Sequence, residues 1–371
     1  MNTKKINHFF LKILVVLVLM LTSFVVLRHN ASWYQDSIGE VTSVKQVSTK
    51  TLQDQYGNKV TQHHQKVSVK LLNTQNKGKT VSFINSYDDA KAITQPLNKH
   101  DQIFLAKSSK AWGLKNFKRD IFWIPILILV MGLLIISMGK AGSFMVLSLI
   151  INVILFIGTI YLNFVTKEAN IFWLFILFSI IASMLTLIFV MGIKRRLTWT
   201  VLLTVVTSTT AAMLIGLLVF NITNEKGLHF ELMSFITQLP QPMFLSMTLV
   251  GVLGAVMDEA TDMIATLFSL EREHPEIGIK ELLITGRHVG QEIFGALSNT
   301  LFLIFIAEQI PMAILYLRNG NNWGFTYTMN LSLGMVQTLI SAIGIVLTVP
   351  AGIFWVWILH KWRQRKMEAN I

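Results

Sequence analysis

Three carboxylates fall within five residues of one apolar segment, in the stretch GAVMDEATDMIATLFSLERE of residues 254–273. Asp258, Glu259 and Asp262 follow the run MFLSMTLVGVL, which is apolar enough to enter a bilayer. An Asp near the membrane centre costs about 2.5–3.5 kcal/mol, and such acids usually line a path for an ion or a substrate. Asp258 and Asp262 lie one turn apart on one helical face, so we expect one of them to hold a proton at neutral pH. These residue types therefore suggest reversible binding of a proton or a cation.

A second polar group follows in the next apolar segment, HVGQEIFGALSNTLFLIF. At 100° per residue, Glu292 and Asn299 share one helical face, and Ser298 precedes Asn299. A short charged connection joins the two segments, so we expect antiparallel neighbours with Asp258 and Asn299 at similar depth. An alternative stays open, in which the outer acids are solvated at the cytoplasmic surface and Asn299 only holds helices together.

The last and the fifth apolar segments extend this predicted polar interior. One face of the last segment carries Gln337, Ser341, Gly344 and Thr348. The fifth segment holds a hydroxyl-rich patch made of Thr204 and residues 207–210. Packing and interhelical hydrogen bonds are the alternative explanation for Gln337 and for these hydroxyls.

The elements that must position these residues are membrane spans. The 371-residue chain is 53% hydrophobic and 14% charged, where a soluble domain would be roughly a quarter charged. Several apolar runs reach the length of about 20 residues that a transmembrane helix needs. We predict a polytopic α-helical membrane protein with about eight transmembrane helices: an anchor within residues 1–30, then spans near 121–138, 143–164, 171–193, 197–220, 243–269, 289–317 and 331–359.

The basic residues predict the orientation of these spans, because Lys and Arg collect in cytoplasmic loops. One side of the predicted membrane holds Lys4, Lys5, Lys12 and the basic clusters at 194–196 and 361–366, whereas the short loops of the other side hold only Lys167, Lys226 and Arg318. We therefore predict a cell (plasma) membrane protein with both termini in the cytoplasm. The net charge of +12 then needs no nucleic-acid partner.

Residues 31–118 differ from the rest of the chain because they are polar and alternate with period two. Stretches such as GEVTSVKQV, QKVSVKLL, KTVSFI and DQIFLAK are separated by the turn signals YGNK and NKGK. They predict a small extracytoplasmic all-β domain, for which an OB-like barrel is our preferred form. The predicted organisation is an anchor helix (1–30), the β domain (31–118), a seven-helix membrane domain (119–361) and a cytoplasmic tail (362–371).

The residue types narrow the classes of function. The absence of Cys excludes disulfides and thiolate chemistry, and we predict no metal site and no cofactor. An intramembrane aspartyl hydrolase needs two carboxyls facing each other across the substrate, whereas Asp258 and Asp262 share one helix, so we expect no enzyme.

Two hypotheses remain. The first is a permease or secondary transporter of unknown substrate, coupled to protons or cations through the acids around Asp258. The alternative is a non-transporting scaffold or assembly factor that acts through the β domain. Both have the lipid bilayer as a partner, together with a second membrane subunit or a second copy of the chain. The small molecule or ion is undefined.

The chain resembles the YibE/F family of bacterial membrane proteins. Three segments carry the resemblance: GVLGAVMDEATDMIATL (251–267), GRHVGQEIFGALSNTLFLIFI (286–306) and SAIGIVLTVP (341–350). The resemblance implies a multi-spanning, permease-like protein preceded by an extracytoplasmic domain, and it supplies no reaction. Asp258, Ser298 and Asn299 match the family's motifs. The chain departs from the family's pattern at Glu259, Asp262 and near Gln337.

Overall fold

A computed structural model describes residues 3–91, 94–108, 111–166, 171–230, 233, 240–274 and 277–368, with side chains from residue 9 to residue 361. Lys167, which we predicted in an external loop, lies outside these residues, as do the side chains of Lys4, Lys5 and the basic residues after 361. The chain forms two compact units, Met1–Ser143 and Phe144–Ile371.

The first unit contains two apolar helices and one antiparallel sheet. Its elements are helix α1 (Thr3–His29), a 3₁₀ turn (Ala31–Trp33), strands β1 (Ser37–Gln53), β2 (Lys59–Leu71), β3 (Thr80–Asp88), β4 (Gln102–Ser108) and β5 (Ala111–Phe117), and helix α2 (Asp120–Met138). Helices α1 and α2 pack together. They approach closely at Gly132, where an added Cβ would lie 2.6 Å from the Val16 side chain.

The five-stranded sheet confirms the predicted β domain. Its strand order is β3-β2-β1-β4-β5, and within the described residues no ladder joins β3 to β5. A closed barrel requires its edge strands to pair. The edge strands β3 and β5 contact each other without forming a ladder in the part of the chain that the structure describes, so the sheet is open and the predicted OB-like barrel is not confirmed. The divergence begins in β1, which pairs with β4 only over Ser37–Glu40 but with β2 over Gly39–Gln53. Beyond Val41, β1 and β2 continue as a long hairpin.

Asn73 ties the start of the sheet to the turn that precedes it. Its buried side chain accepts a hydrogen bond from the Ile38 amide at 2.7 Å and donates to the carbonyls of Ala31, Tyr34 and Asp36 at 2.9, 3.1 and 2.8 Å. One amide side chain thus contacts four backbone groups, with its two amide hydrogens shared among the three carbonyls. Leaving a buried polar group without a partner costs about 1–3 kcal/mol.

We expect Asn73→Ala to destabilise the β domain by about 3 kcal/mol, because several buried backbone groups lose their partner at once. The measurement is hydrogen exchange in the full-length protein, followed at peptides that contain Ile38. Asn76→Ala is the matched control, since Asn76 lies in the same loop and accepts only a solvent-exposed bond from Lys79. Equal protection in the two variants would contradict this role of Asn73.

Polar side chains also join the end of α1 to the start of α2. The Lys118 side chain is 0% exposed, and its Nζ donates to the Leu27 carbonyl at 2.6 Å and to Asp120 Oδ2 at 3.0 Å. The Tyr34 hydroxyl donates to the same carboxylate oxygen at 2.9 Å. Burial lowers the pKa of Lys118, although its ion pair with Asp120 acts in the other direction. Burial is also the main cause that raises the pKa of Tyr34.

The second unit is helical. Most of α3 (Lys140–Val165) belongs to it, followed by α4 (Ile171–Met191), α5 (Arg196–Thr223), α6 (Pro240–Glu273), α7 (Ile279–Arg318), α8 (Trp323–Thr326), a π-helical turn (Tyr327–Leu331) and α9 (Ser332–Glu368). Counting α8 to α9 as one rod, eight helices in the described residues are long and apolar enough to span a membrane. The predicted helical membrane protein is thereby confirmed, with α6 and α9 at the centre of this unit.

Helix α7 starts ten residues before the predicted span. We expected a charged connection up to residue 287, but the structure is helical from Ile279. This added segment packs against the bundle, because Leu282 is buried and an added Cβ at Gly286 would lie 3.0 Å from Leu267. The connection between α6 and α7 is correspondingly short, and α6 and α7 are antiparallel neighbours as predicted.

Glycines of α9 allow α6 to approach it closely. An added Cβ at Gly344 would lie 2.9 Å from side-chain carbons of both Val252 and Val256. An added Cβ at Gly352, two turns further on, would collide with the Met263 side chain. The face of α6 that carries Val252, Val256 and Met263 is therefore the one that packs on α9.

Candidate functional site

Glu259 occupies the centre of this helix interface. Among the described residues of the second unit, it is the one charged residue in the buried set, with 0% exposure. Neither Oε1 nor Oε2 has a hydrogen-bond partner. Glu259 follows Val256 by three residues and precedes Met263 by four, which places it on the α6 face that packs on α9.

A hydroxyl of α9 lies at the same level as Glu259. Thr348 is one turn from both Gly344 and Gly352, the positions that bracket Glu259 along the helix pair. It is 0% exposed, and its Oγ1 donates to the Gly344 carbonyl at 2.9 Å. The hydroxyl oxygen still has acceptor capacity for a proton donor or a cation.

Helix α5 contributes a further hydroxyl at this level. A Cβ added to Gly344 would lie 3.5 Å from Ala212, and a Cβ added to Gly352 would lie 3.6 Å from Thr204. Ser208 falls midway between them on the same helical face, is buried, and has no partner for its Oγ. The carboxyl of Glu259 and the hydroxyls of Ser208 and Thr348 thus share one layer of the α5, α6 and α9 interface.

The structure places Asp258 and Asp262 differently from Glu259. Both are exposed, and neither side chain makes a hydrogen bond or an ion pair within the described residues. Nothing approaches the Cβ position of Gly254 within 4 Å, one turn before Asp258. The face of α6 that carries Asp258 and Asp262 is therefore open at this level.

The register between α6 and α7 displaces the predicted pair of Asp258 and Asn299. Gly290 of α7 packs against Met263 of α6. Because the two helices are antiparallel, each residue further along α7 lies level with one residue earlier in α6. Asp258 is therefore level with residue 295, and Asn299 is level with residue 254. Asp258 and Asn299 are therefore about one turn apart in depth rather than opposite each other.

The remaining predicted residues fall into two environments. Glu292 and Asn299 are exposed on α7, and within the described residues their side chains have no hydrogen-bond partner. Ser298 Oγ is buried and also lacks a partner. Gln337 packs on α6, since its Nε2 would lie 3.2 Å from a Cβ added to Gly251.

The predicted polar face of α9 leads from Gln337 to the level of Glu259. Ser341 is buried one turn after Gln337 and donates to its carbonyl at 3.0 Å, and Thr348 follows two turns later. Gln337 also lines a cavity of about 500 Å³ between α6, α7 and α9. Of the predicted hydroxyl patch on α5, Thr204, Ser208 and Thr209 are buried, whereas Thr207 and Thr210 are exposed.

Sequence reasoning thus identified the residues of this region but not their arrangement. It centred the site on Asp258, which it expected at the same depth as Asn299. The glycines that permit close approach of α6 and α9 are Gly344 and Gly352 of α9, and they select the face of Glu259 instead. The spacing of Gly344, Thr348 and Gly352 was the signal in the sequence that would have indicated this face.

Comparisons with known proteins bear on both parts of the chain. The model of the family described as YibE/F-like protein matches residues 126–361. The model described as YibE/F family N-terminal domain matches residues 32–116. No curated protein and no solved structure shows a significant match.

Proposed function

The chain belongs to the YibE/F-like protein family, and from this premise we propose that it is a permease or secondary transporter coupled to a proton or cation through Glu259. The observation that carries the proposal is the complete burial of the Glu259 carboxyl without a hydrogen-bond partner. We place the protein in the bacterial plasma membrane, with both termini in the cytoplasm, on the distribution of Lys and Arg.

Energetics support this role for Glu259. An unpaired charge inside a membrane is expensive, and ionisable residues found there mark ion pathways and proton relays. A carboxyl surrounded by hydroxyls and apolar side chains is stable when it holds a proton or a cation, and unstable when it holds neither. Release of the bound ion therefore favours a rearrangement that admits water or brings a new partner, which is the coupling that a secondary transporter requires.

Asp258 and Asp262 have a different place in the proposal. Both project from the open face of α6, and charged side chains inside a membrane usually face a water-filled cavity or a protein partner. We propose that this face lines the water-filled route by which the ion reaches Glu259, or contacts a second membrane subunit or a second copy of the chain. The role of Asp258, the acid within the family motif, stays a prediction of the sequence.

The test is flux through the purified protein in proteoliposomes that contain a pH-sensitive dye. Imposed gradients of protons, Na⁺ or K⁺ are expected to drive flux in the wild type, and Asp258→Asn measures the contribution of the open face. If the wild type gives no flux above that of empty vesicles under any gradient, the proposed transport function is wrong.

The β domain supports a second candidate function, that of a scaffold or assembly factor. From Thr42 to Gln53, β1 pairs with β2 alone, so its outer edge is unpaired within the described residues. An exposed edge strand accepts a further strand from another protein. Lys45 and Lys50 lie on this edge and favour a partner strand that carries acidic residues.

Shortening the hairpin separates this candidate from transport. We expect replacement of residues 47–64 by a two-residue turn to preserve the sheet, because it leaves the pair of Gln46 and Gln65 intact and keeps the buried Gln65 and Val67. If the edge is the docking site, the shortened variant loses a partner that the intact chain captures by cross-linking in cells, and its flux is unchanged. Capture of the same partner by both proteins would contradict a docking role for the hairpin.

A further inference from the structure

The cavity between α6, α7 and α9 has a lining unlike the rest of the bundle. It measures about 500 Å³, within the range of roughly 300–1,000 Å³ that is usual for small-molecule sites. This volume greatly exceeds that of a single metal ion. It lies at the end of the bundle remote from the α6–α7 connection, the end that the distribution of basic residues predicts to be extracytoplasmic.

Methionines supply much of the apolar lining of the cavity. Five of the 17 methionines in the chain contribute to it: Met233, Met243, Met247, Met312 and Met329. Methionine side chains are flexible and polarisable, and they are over-used on surfaces that accept apolar partners of varied shape. Phe244, Phe305 and Tyr316 add aromatic surface, which attracts cations through the ring faces.

The backbone around the cavity is irregular on two sides. The π-helical turn Tyr327–Leu331 interrupts the rod of α8 and α9 at Thr328, Met329 and Asn330, which all line the cavity. Such π turns occur frequently at functional sites. On α7, Pro311 has no amide hydrogen for the carbonyl four residues earlier, and Asn330 Nδ2 donates to the Gln309 carbonyl at 3.1 Å.

The charge of the lining has one sign. Glu308 is the one charged residue among the described lining residues, and no Lys, Arg or His accompanies it. Within the described residues its carboxylate makes no hydrogen bond and no ion pair. The side-chain amides of Gln309, Asn330 and Gln337 provide further polar groups.

We propose that this cavity binds an organic cation with an apolar body, whose charge is neutralised by Glu308 and whose body packs on the methionines and aromatic rings. This assignment extends the proposed function by naming the substrate class of the transporter. It rests on that function only in treating the bound cation as the transported molecule. Gln337 is the first residue of the polar face of α9, and this face reaches the level of Glu259 on α6. The cavity and the Glu259 carboxyl therefore both border α9.

Equilibrium binding tests the proposal without any gradient. The probe is radiolabelled tetraphenylphosphonium, a rigid apolar cation, added to the full-length protein in nanodiscs, with empty nanodiscs subtracted. We expect saturable binding that triphenylphosphine oxide, an uncharged molecule with the same aromatic groups, does not displace. Glu308→Gln is expected to weaken binding about tenfold, as for the loss of one charge-assisted contact. Met312→Trp is expected to weaken it by filling the cavity.

Two controls define the outcomes. Glu281→Gln removes an exposed acid of the same helix outside the cavity and is expected to bind the probe like the wild type. In Glu259→Gln, loss of flux together with saturable binding of the probe would implicate coupling and not the cavity. Unsaturable binding, equal binding by Glu308→Gln, or displacement by Ag⁺, which would indicate a soft-metal site of thioethers, would each overturn the proposal. Saturable binding without flux under any condition would support the cavity as a binding site and would contradict the proposed transport function.

Discussion

Glu259→Gln is expected to abolish ion-coupled flux in proteoliposomes while the protein remains folded. Gln keeps the shape and the polarity of the buried side chain, so the packing on α9 is preserved. It carries no titratable proton and no negative charge, so it binds neither a proton nor a cation in exchange for water. We therefore expect flux to fall to the level of empty vesicles, and the melting temperature to stay close to that of the wild type.

The exposed acids provide the matched comparison for Glu259. Asp262→Asn removes a carboxyl from the same helix three residues away, on the open face, and is expected to reduce flux only partially. Asp258→Asn tests the residue that the sequence ranks first. Full flux in Glu259→Gln together with none in Asp258→Asn would show that the open face binds the ion, and Glu259 would then have no coupling role.

Gly344→Leu is expected to disrupt the packing of α6 on α9 and with it the setting of Glu259. Even a Cβ at this position lies 2.9 Å from both Val252 and Val256, and both valines are 0% exposed, so neither has free space to move into. Overpacking a core costs about 1–3 kcal/mol and occasionally more. For a substitution this large we expect about 3 kcal/mol, which corresponds to a fall in melting temperature of roughly 6–12 °C.

Gly254→Leu is the matched control for Gly344→Leu. It introduces the same side chain into the partner helix, at a position where nothing lies within 4 Å of the added Cβ. Replacing Gly in a helix improves helix propensity by up to about 1 kcal/mol, so the melting temperature is expected to be unchanged or higher. Equal losses in the two variants, measured by thermal unfolding in detergent, would show that the face of α6 that carries Gly254 is also closely packed.

The positions of Gln337, Ser341 and Thr348 relate the cavity to Glu259. All three lie on the face of α9 that meets α6, and Ser341 and Thr348 are buried. A cargo cavity at one end of this face and a buried ion-binding carboxyl further along it would be linked by one helix. Movement of α9 against α6 is then the simplest way for ion binding at Glu259 to change access to the cavity.

The sequence by itself determined the class of this protein and most of its elements. Crossing a bilayer requires about 20 apolar residues in one segment, a local property that hydropathy records directly, and the eight predicted spans correspond to eight helices. Strand patterning is also local, because side chains alternate with period two. This alternation predicted the β domain. The helical period, which is also local, predicted the polar face of α9 that carries Gln337 and Thr348.

Only the tertiary structure decided which acid is buried and which surfaces enclose a cavity. In an apolar helix, hydrophobic residues surround the axis, so composition does not distinguish the face of Asp258 from that of Glu259, about 100° away. The choice depends on Gly344 and Gly352, some ninety residues later in the chain, because they let α9 approach the valine face of α6. The open sheet and the methionine-lined cavity likewise arise from pairing and packing between distant segments, which no local pattern records.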